Sequence, residues 1–248
     1  MARTVVISGG GTGIGFAAAE SFAADGDRVV LLGRREEVLA RAAGRLPSAG
    51  HFAVDLSDPA DVLRAASFVE REYGAVDVLV NSAGGNGNRE EQRAHSDPLA
   101  ALEHDWTTNF RLNTLTAALL TEALKDHLAT PGGRVLFLSS IAAYRGSGSA
   151  AYGASKAALH PYAFQLARTL GPRGITVNVV APGWVEDTDF FAEPLAQERR
   201  SALAAETATG RVARPGDVAQ TLHWLASSAA GHITAQVIQV NGGAERSH

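Results

Sequence analysis

The chain contains no cysteine. Disulfides, thiolate nucleophiles and cysteine-based metal centres are therefore excluded. It also lacks any apolar run of the roughly 18 residues that a membrane-crossing helix requires. Neither sign of charge dominates: 22 basic and 26 acidic residues, well mixed, leave a net charge of -4. Nothing in that balance draws the whole molecule to nucleic acid or to an anionic membrane, so any anion site must be local. Internal repeats and linkers are missing as well. Met1-Ala2-Arg3-Thr4 leads straight into a strand pattern, which is neither a signal peptide nor a transit sequence and gives the expectation of a soluble, cytoplasmic protein. At 248 residues the chain is long enough for one large α/β domain burying roughly 70 to 75% of its extended surface.

What is present is an alternation of strand and helix patterns from end to end, which argues one doubly wound domain with a parallel sheet of about seven strands. Arg3 to Ser8 holds the β-branched run of a buried parallel strand and passes directly into Gly9-Gly10-Gly11-Thr12-Gly13-Ile14-Gly15, followed by the helix-forming Phe16 to Ala24. Strand, glycine turn and helix in that order suit a pyrophosphate, because glycine lets the backbone approach and the helix start offers free N–H groups. Arg28 to Leu32 reads as the second strand. Its end is Gly33-Arg34-Arg35, with no carboxylate before Glu36. In a dinucleotide fold that position meets the adenosine ribose, where two guanidiniums favour a 2′-phosphate and hence NADP(H) over NAD(H); the same two arginines would also suit the solvated start of a helix from Arg35 to Leu46.

His51 to Asp55 reads as a third strand, Ser57-Asp58-Pro59 as a helix cap, and Val76 to Val80 as a fourth strand ending in Asn81-Ser82-Ala83-Gly84-Gly85. Asp55, with Leu56 beside it, is placed either to touch the adenine amine or to order its own loop. Leu99 to Ala129 is apolar at helical spacing, and Asn113 falls inside that apolar face. A buried asparagine needs partners, so this one should hold a water or a kinked backbone. Arg134 to Leu138 forms the fifth strand and delivers Ser139-Ser140. An Ala-rich helix from Ala150 to Leu170 follows. Thr176 to Val180 is the sixth strand before Ala181-Pro182-Gly183, Trp184 to Thr209 a helical flap, and Gln236 to Val240 the last strand.

The segment Ser139 to Lys156 brings a hydroxyl, a phenol and an ammonium together. Tyr152 and Lys156 are four apart and share a helix face. An ammonium about 4 Å from the phenol is worth roughly 4 kcal/mol at an effective dielectric of 20, enough to bring a phenol from near 10 down by about three pH units. That is the range in which general acid–base work is efficient. On its own, Tyr-x-x-x-Lys is also the pattern of an exposed helix pair.

Taken together, these motifs resemble the short-chain dehydrogenase/reductase family over essentially the whole chain, in its single-domain branch similar to 3-oxoacyl carrier-protein reductases. The family's cofactor loop matches Ser8 to Gly15 with Ser8 standing for threonine, its Asn-Asn-Ala-Gly matches Asn81-Ser82-Ala83-Gly84, and its helix asparagine falls at Asn113, seven after Trp106. Tyr-x-x-x-Lys falls on Tyr152 and Lys156, and the Pro-Gly turn on Pro182-Gly183. The usual threonine five after that proline is replaced by Asp187, which makes Thr188 the choice for the nicotinamide carboxamide. The catalytic serine is often thirteen before the tyrosine, which is Ser139, but the local match assigns Ser140 with one residue deleted from the following loop.

The resemblance implies a catalytic set of Asn113, Ser140, Tyr152 and Lys156 in a carbonyl/alcohol oxidoreductase. It implies NADP(H) bound by Gly9, Gly11, Thr12, Gly13, Ile14, Gly15, Arg34, Arg35, Asp55, Leu56, Asn81, Ala83, Gly84, Tyr152, Lys156, Pro182, Gly183, Val185 and Thr188, with no metal. Tyr144, Trp184 and Phe190 are the expected substrate contacts, and Arg89, Arg93, Arg145 and His95 could meet an anionic group. Imine or enoyl reduction and epimerisation use the same scaffold, and a non-catalytic NADP(H) sensor is the reading outside enzymes. Family likeness further implies a homotetramer or homodimer built on the two long helices and the last strand.

Overall fold

The computed structural model describes residues 2–87, 97–146, 148–188, 190 and 196–246. Seven strands form one parallel sheet: β1 (Thr4–Ser8), β2 (Arg28–Gly33), β3 (Ala49–Ala53), β4 (Val78–Asn81), β5 (Arg134–Leu138), β6 (Thr176–Pro182) and β7 (Val237–Val240). Their order is β3-β2-β1-β4-β5-β6-β7. β1 lies between β2 and β4, with Ser8 opposite both Leu32 and Asn81, so the strand ends on this side are level. Every residue of β1, β5 and β6 is buried. That explains why those strands read as continuous apolar runs rather than as an alternation: helices cover both faces.

One face is covered by α1 (Gly13–Ala24), α2 (Glu36–Ala43) and α10 (Pro215–Leu225); Ala18, Ala19 and Phe22 of α1 pack in one cluster with Val218, Ala219 and Leu222 of α10. The other carries α3 (Pro59–Tyr73), α5 (Thr116–Leu124) and α8 (Leu159–Leu170) around Phe137, Leu120 and Leu166. α4 (Pro98–Phe110), α6 (Ala142–Arg145), α7 (Ala150–Ala157) and α9 (Gln197–Ala205) sit around the level strand ends. α3 and α4 start as their sequences require: Asp58 accepts from the amides of Ala60 and Asp61, Asp97 accepts from that of Leu99, and a proline follows each cap. Among the described residues no helix is long and apolar enough to cross a membrane.

Three differences from the sequence expectation bear on the site. β3 ends at Ala53, two residues early, because the Asp55 carboxylate accepts from the Ser57 amide and hydroxyl and turns the chain. The helix expected from Leu99 to Ala129 is interrupted by a π-helical turn at Arg111–Leu115, with Asn113 at its centre. The helix expected from Ala150 to Leu170 divides at Ala158 into α7 and α8, because Pro161 has no N–H to offer the Ala157 carbonyl.

Candidate active site

The strand order reverses between β1 and β4, and a crevice must open there at the carboxyl ends of the strands. A cavity of about 870 Å³ occupies that place. At one end it is made of backbone. Gly9, Gly11, Thr12, Gly13, Ile14 and Gly15 all line it, and the Gly15 Cα approaches the turn so closely that a Cβ there would lie 2.3 Å from the Gly9 oxygen. Thr12 caps α1 with an extended backbone and no side-chain hydrogen bond, and the first turn carries no acid. The N–H groups that open α1 therefore face the cavity with the positive end of the helix dipole.

Arg34, Arg35, Asp55 and Leu56 continue the wall. Glu36, the first carboxylate after the arginines, is turned away to His51 on β3 at 2.8 Å. Burial acts to raise the Asp55 carboxyl, but the Ser57 donors, then the Arg34 and Arg111 guanidiniums, outweigh it and hold the carboxyl below its ordinary range. Across the crevice Ala83, Gly84, Pro182, Gly183, Val185 and Thr188 form the facing wall. Thr188 donates to the Val185 carbonyl at 3.2 Å and reaches over the glycine loop, where a Cβ on Gly13 would meet its methyl at 3.4 Å.

Asn81 does not line the cavity: its amide donates to Thr121 Oγ1 at 3.0 Å beneath the sheet end. The reason is the pleat, which sends the side chain of a strand residue to one face or the other. The strand end is secured by Ser8, whose hydroxyl accepts from the amides of Ser82 and Ala83, both at 3.0 Å. The serine was visible in the cofactor motif, but its role as a strap between β1 and β4 needs the strand order and could not be read along the chain.

Ser140, Tyr152 and Lys156 lie at the floor. Ser149 caps α7 by accepting from the Tyr152 amide at 3.1 Å and so fixes where the helix carrying Tyr152 begins. Burial pushes the Tyr152 phenol up to about 12, against the opposing hydrogen bond from the Ser140 side chain. Burial also brings the Lys156 ammonium down to about 8, and its Nζ donates to the Leu138 carbonyl at 2.9 Å. The expected lowering of the phenol by Lys156 is thus reversed: both groups are enclosed, and desolvation disfavours phenolate and ammonium alike. Of the two serines, Ser140 is at the phenol. Ser139 turns away, donating to the Lys156 carbonyl at 3.1 Å and pairing with His160 Nε2 at 2.8 Å.

Asn113 lies below the floor rather than on it. Its amide donates to the carbonyls of Asn109 and Gly85, and its oxygen accepts from the Gly85 amide at 2.9 Å. Of the two uses the sequence offered, the bond to Asn109 fits the kinked backbone, since the π-helical turn sits here. A Cβ on Gly84, whose φ is +155, would fall 2.5 Å from Asn113 Oδ1 and 3.0 Å from Lys156 Nζ. Asn113 Oδ1 and Lys156 Nζ therefore both lie against Gly84. Asn109, fully buried, repeats the device one turn earlier by accepting from the Gly87 amide at 3.1 Å; sequence reading missed it, although its spacing of four from Asn113 was there to see.

At the far end Trp184 and Phe190 line the cavity, and the Phe190 ring lies 5.3 Å from that of Tyr152. Tyr144 does not line it: the ring packs on His160 at 5.3 Å, behind the floor. The short α6 turns it that way, since its neighbour Arg145 is the residue facing the cavity. Arg145 is paired with Glu206, just after α9, and donates to the Ala244 carbonyl at 3.2 Å, while Arg200 of α9 pairs with Glu186 at 2.8 Å. Leu203, Glu206 and Thr207 also line this end and carried no pattern in the sequence. Arg89, Arg93 and His95 lie outside the described residues.

The glycine cradle, the open α1 donors and the arginines at the β2 end fit a nicotinamide dinucleotide in its pyrophosphate and ribose segments. Comparison with known proteins agrees. The family described as enoyl-(acyl carrier protein) reductase matches residues 9–245. The zebrafish (Danio rerio) carbonyl reductase family member 4 is 34% identical over 246 residues, covering 98% of both chains. The 3-oxoacyl-acyl-carrier-protein reductase FabG of Escherichia coli is 31% identical over 244 residues, covering 97% of this chain and 96% of its own. A solved short-chain dehydrogenase/reductase from Brucella melitensis superposes with a TM-score of 0.88 at 32% identity, over 99% of this chain and 97% of the other. The chain belongs to the short-chain dehydrogenase/reductase family, as an NAD(P)-dependent oxidoreductase.

Proposed function

We propose that the protein reduces a ketone or aldehyde to an alcohol with NADPH, and runs the same reaction in reverse. The observation that carries this reading is one cavity that holds Arg34 and Arg35 at one end and Ser140, Tyr152 and Lys156 on its floor. The coenzyme supplies the hydride when bound. Tyr152, whose phenol keeps its proton through neutral pH at about 12, donates that proton to the carbonyl oxygen. Ser140 donates to the same oxygen and orients it. Lys156, charged below about 8, stabilises the phenolate left behind, and its Nζ keeps its place through the Leu138 carbonyl. Asn113 holds Gly84 and Gly85 against this floor. Arg34 and Arg35 receive a 2′-phosphate, a contact that Glu36 does not oppose because it is engaged by His51.

The segment around α9 closes the substrate end as a flap, and the aromatic pair of Phe190 and Tyr152 favours an apolar or ring-bearing carbonyl compound. Leu99, Leu102 and Trp106 form an exposed apolar stripe on α4, and Phe164 is exposed on α8. Such faces suit a homodimer or homotetramer, which light scattering would measure.

The test is oxidation of NADPH and of NADH by the purified protein with a panel of ketones, aldehydes, imines and an enoyl thioester. Turnover of a ketone or aldehyde, faster with NADPH, is the expected result. Turnover confined to the enoyl thioester would replace carbonyl reduction by reduction of a carbon–carbon double bond, the reading that the description of the matching family favours.

A further inference from the structure

His160 belongs to none of the motifs above, yet it touches two residues behind the floor and reaches a third through one of them. Its Nε2 lies 2.8 Å from Ser139 Oγ at the end of β5. The Ser139 hydroxyl lies 3.1 Å from the Lys156 carbonyl at the end of α7. On its other side the imidazole packs against Tyr144 of α6, ring centres 5.3 Å apart and 34° from parallel. A serine has one hydroxyl proton, and Ser139 spends it on the Lys156 carbonyl, which can only accept. His160 must then be the donor, through Nε2–H, to the Ser139 oxygen. Burial holds the imidazole pKa below its ordinary value, so the neutral ring with Nε2–H is the form present at neutral pH. The result is a directed chain from His160 through Ser139 to the Lys156 backbone, each bond polarising the next.

Apart from this chain, the end of β5 is tied to α7 by Lys156 Nζ, which donates to the Leu138 carbonyl at 2.9 Å; the path through His160 and Ser139 is a tie that uses none of the Ser140, Tyr152 and Lys156 side chains. Ser140 follows β5, while Tyr152 and Lys156 ride on α7, which ends where the helix divides before Pro161. The geometry points to His160 as a positioning residue that, acting through Ser139, sets the distance between the Ser140 hydroxyl and the helix bearing Tyr152 and Lys156. The imidazole touches neither the coenzyme wall nor the cavity. Its contact with Tyr144, the fourth residue after Ser140, steadies the strand end from behind and explains why that tyrosine faces away from the cavity.

This inference rests on the carbonyl-reductase reading for its kinetics but not for its first measurement. In the protein with ¹⁵N-labelled histidine, the His160 ring should show the Nε2–H form at neutral pH, and the Ser139→Ala variant should change its Nε2 resonance. An Nδ1–H ring overturns the directed chain whether or not any substrate is known. With a substrate in hand, His160→Phe keeps a ring for Tyr144 but removes the donor. It should lower kcat about tenfold, a modest misplacement, with KM for coenzyme and carbonyl compound unchanged. His160→Gln restores an N–H donor and should recover most of kcat. Ser139→Ala should resemble His160→Phe, and the double variant should be no worse than either, because both break one path. Wild-type kcat in folded His160→Phe, no recovery by His160→Gln, or a double variant whose losses multiply would each overturn the role. Thermal melting identifies any variant that fails to fold, in which case Ser139→Ala, which removes only one oxygen, decides. Failure of the wild-type chain itself to reduce any carbonyl compound would strike the proposed function and leave the histidine result standing.

Discussion

The two ends of the cavity are built on different principles. At the coenzyme end the cradle is backbone, a turn between β1 and α1 and strand ends kept level by the register of the sheet, with Ser8 strapping β1 to β4 and the Arg34 and Arg35 side chains added at its edge. At the substrate end the wall consists of side chains on α6 and α9, secured by ion pairs such as Arg145 with Glu206 and Arg200 with Glu186. The first geometry follows from the fold and cannot be altered without disturbing it. The second depends on partly exposed pairs, each worth about 0 to 1 kcal/mol, and can be rebuilt while the sheet stays as it is. Tyr152 stands where the two meet, so changes to either side of it should separate the two ends.

The largest expected effect is at that junction. Tyr152→Phe should lower kcat for carbonyl reduction about a thousandfold, within the span of a lost general acid, while NADPH affinity measured by nucleotide fluorescence stays within about twofold, since the change removes one oxygen and keeps the ring. Retained turnover would take the proton-donor role from Tyr152. Next comes the coenzyme end, where Gly84→Ala places a Cβ against Asn113 Oδ1 and Lys156 Nζ at a φ that disfavours any side chain. Overpacking of this kind costs about 1 to 3 kcal/mol, and here it should appear as a loss of activity of about a hundredfold together with a lower melting temperature. An active, stable Gly84→Ala protein would show that the backbone end is as tolerant as the flap.

Arg34→Ala should raise KM for NADPH about tenfold, the scale of one lost charge-assisted bond, and leave KM for NADH unchanged. Equal effects on the two coenzymes would remove the 2′-phosphate from the account of Arg34. The pH dependence probes the floor. Lys156 is charged below about 8 and loses its proton as pH rises through that value. Reductive kcat should therefore be level from pH 6 to 7.5 and fall about tenfold by pH 9. A profile that stays flat to pH 10 would show that the phenolate does not depend on this ammonium.

The same division governs what the sequence discloses. β5 and the α1 turn were legible because a parallel strand buried on both faces and a glycine turn leave local marks. Asn113 was legible as a polar residue on an apolar helix face, with a kinked backbone as one of its two uses. The direction of the Tyr152 shift was not legible. The pair of Tyr152 and Lys156 suggests a lowered phenol, and only the packing of α7 under Gly84 and Phe190 reveals that desolvation prevails. Tyr144 and Asn81 do not line the cavity, for local reasons: the pleat sends the Asn81 side chain beneath the sheet end, and the short α6 turns the Tyr144 ring onto His160. Leu203, Glu206 and Thr207 left no signal at all, since a cavity wall on a flap has no periodicity to satisfy.

The smallest effect is the sharpest test of the comparison. Arg145 sits on the cavity wall beside the floor and holds Glu206 at the end of α9 while its other amino group donates to the Ala244 carbonyl. Arg145→Ala removes both tethers, yet the pair is partly solvated, so the melting temperature should move by no more than the few degrees that about 1 kcal/mol represents. The side chain lies away from the glycine turn and from Arg34, and KM for the coenzyme should not change. What should change is KM for the carbonyl compound, about threefold, because the flap helix loses one of its two anchors while Arg200 and Glu186 keep the other. Glu206→Gln breaks the same ion pair from the α9 side and should reproduce the shift. If instead either variant alters coenzyme KM as much as carbonyl KM, the two ends are coupled through α9, and the division between a backbone-built end and a side-chain-built end does not hold.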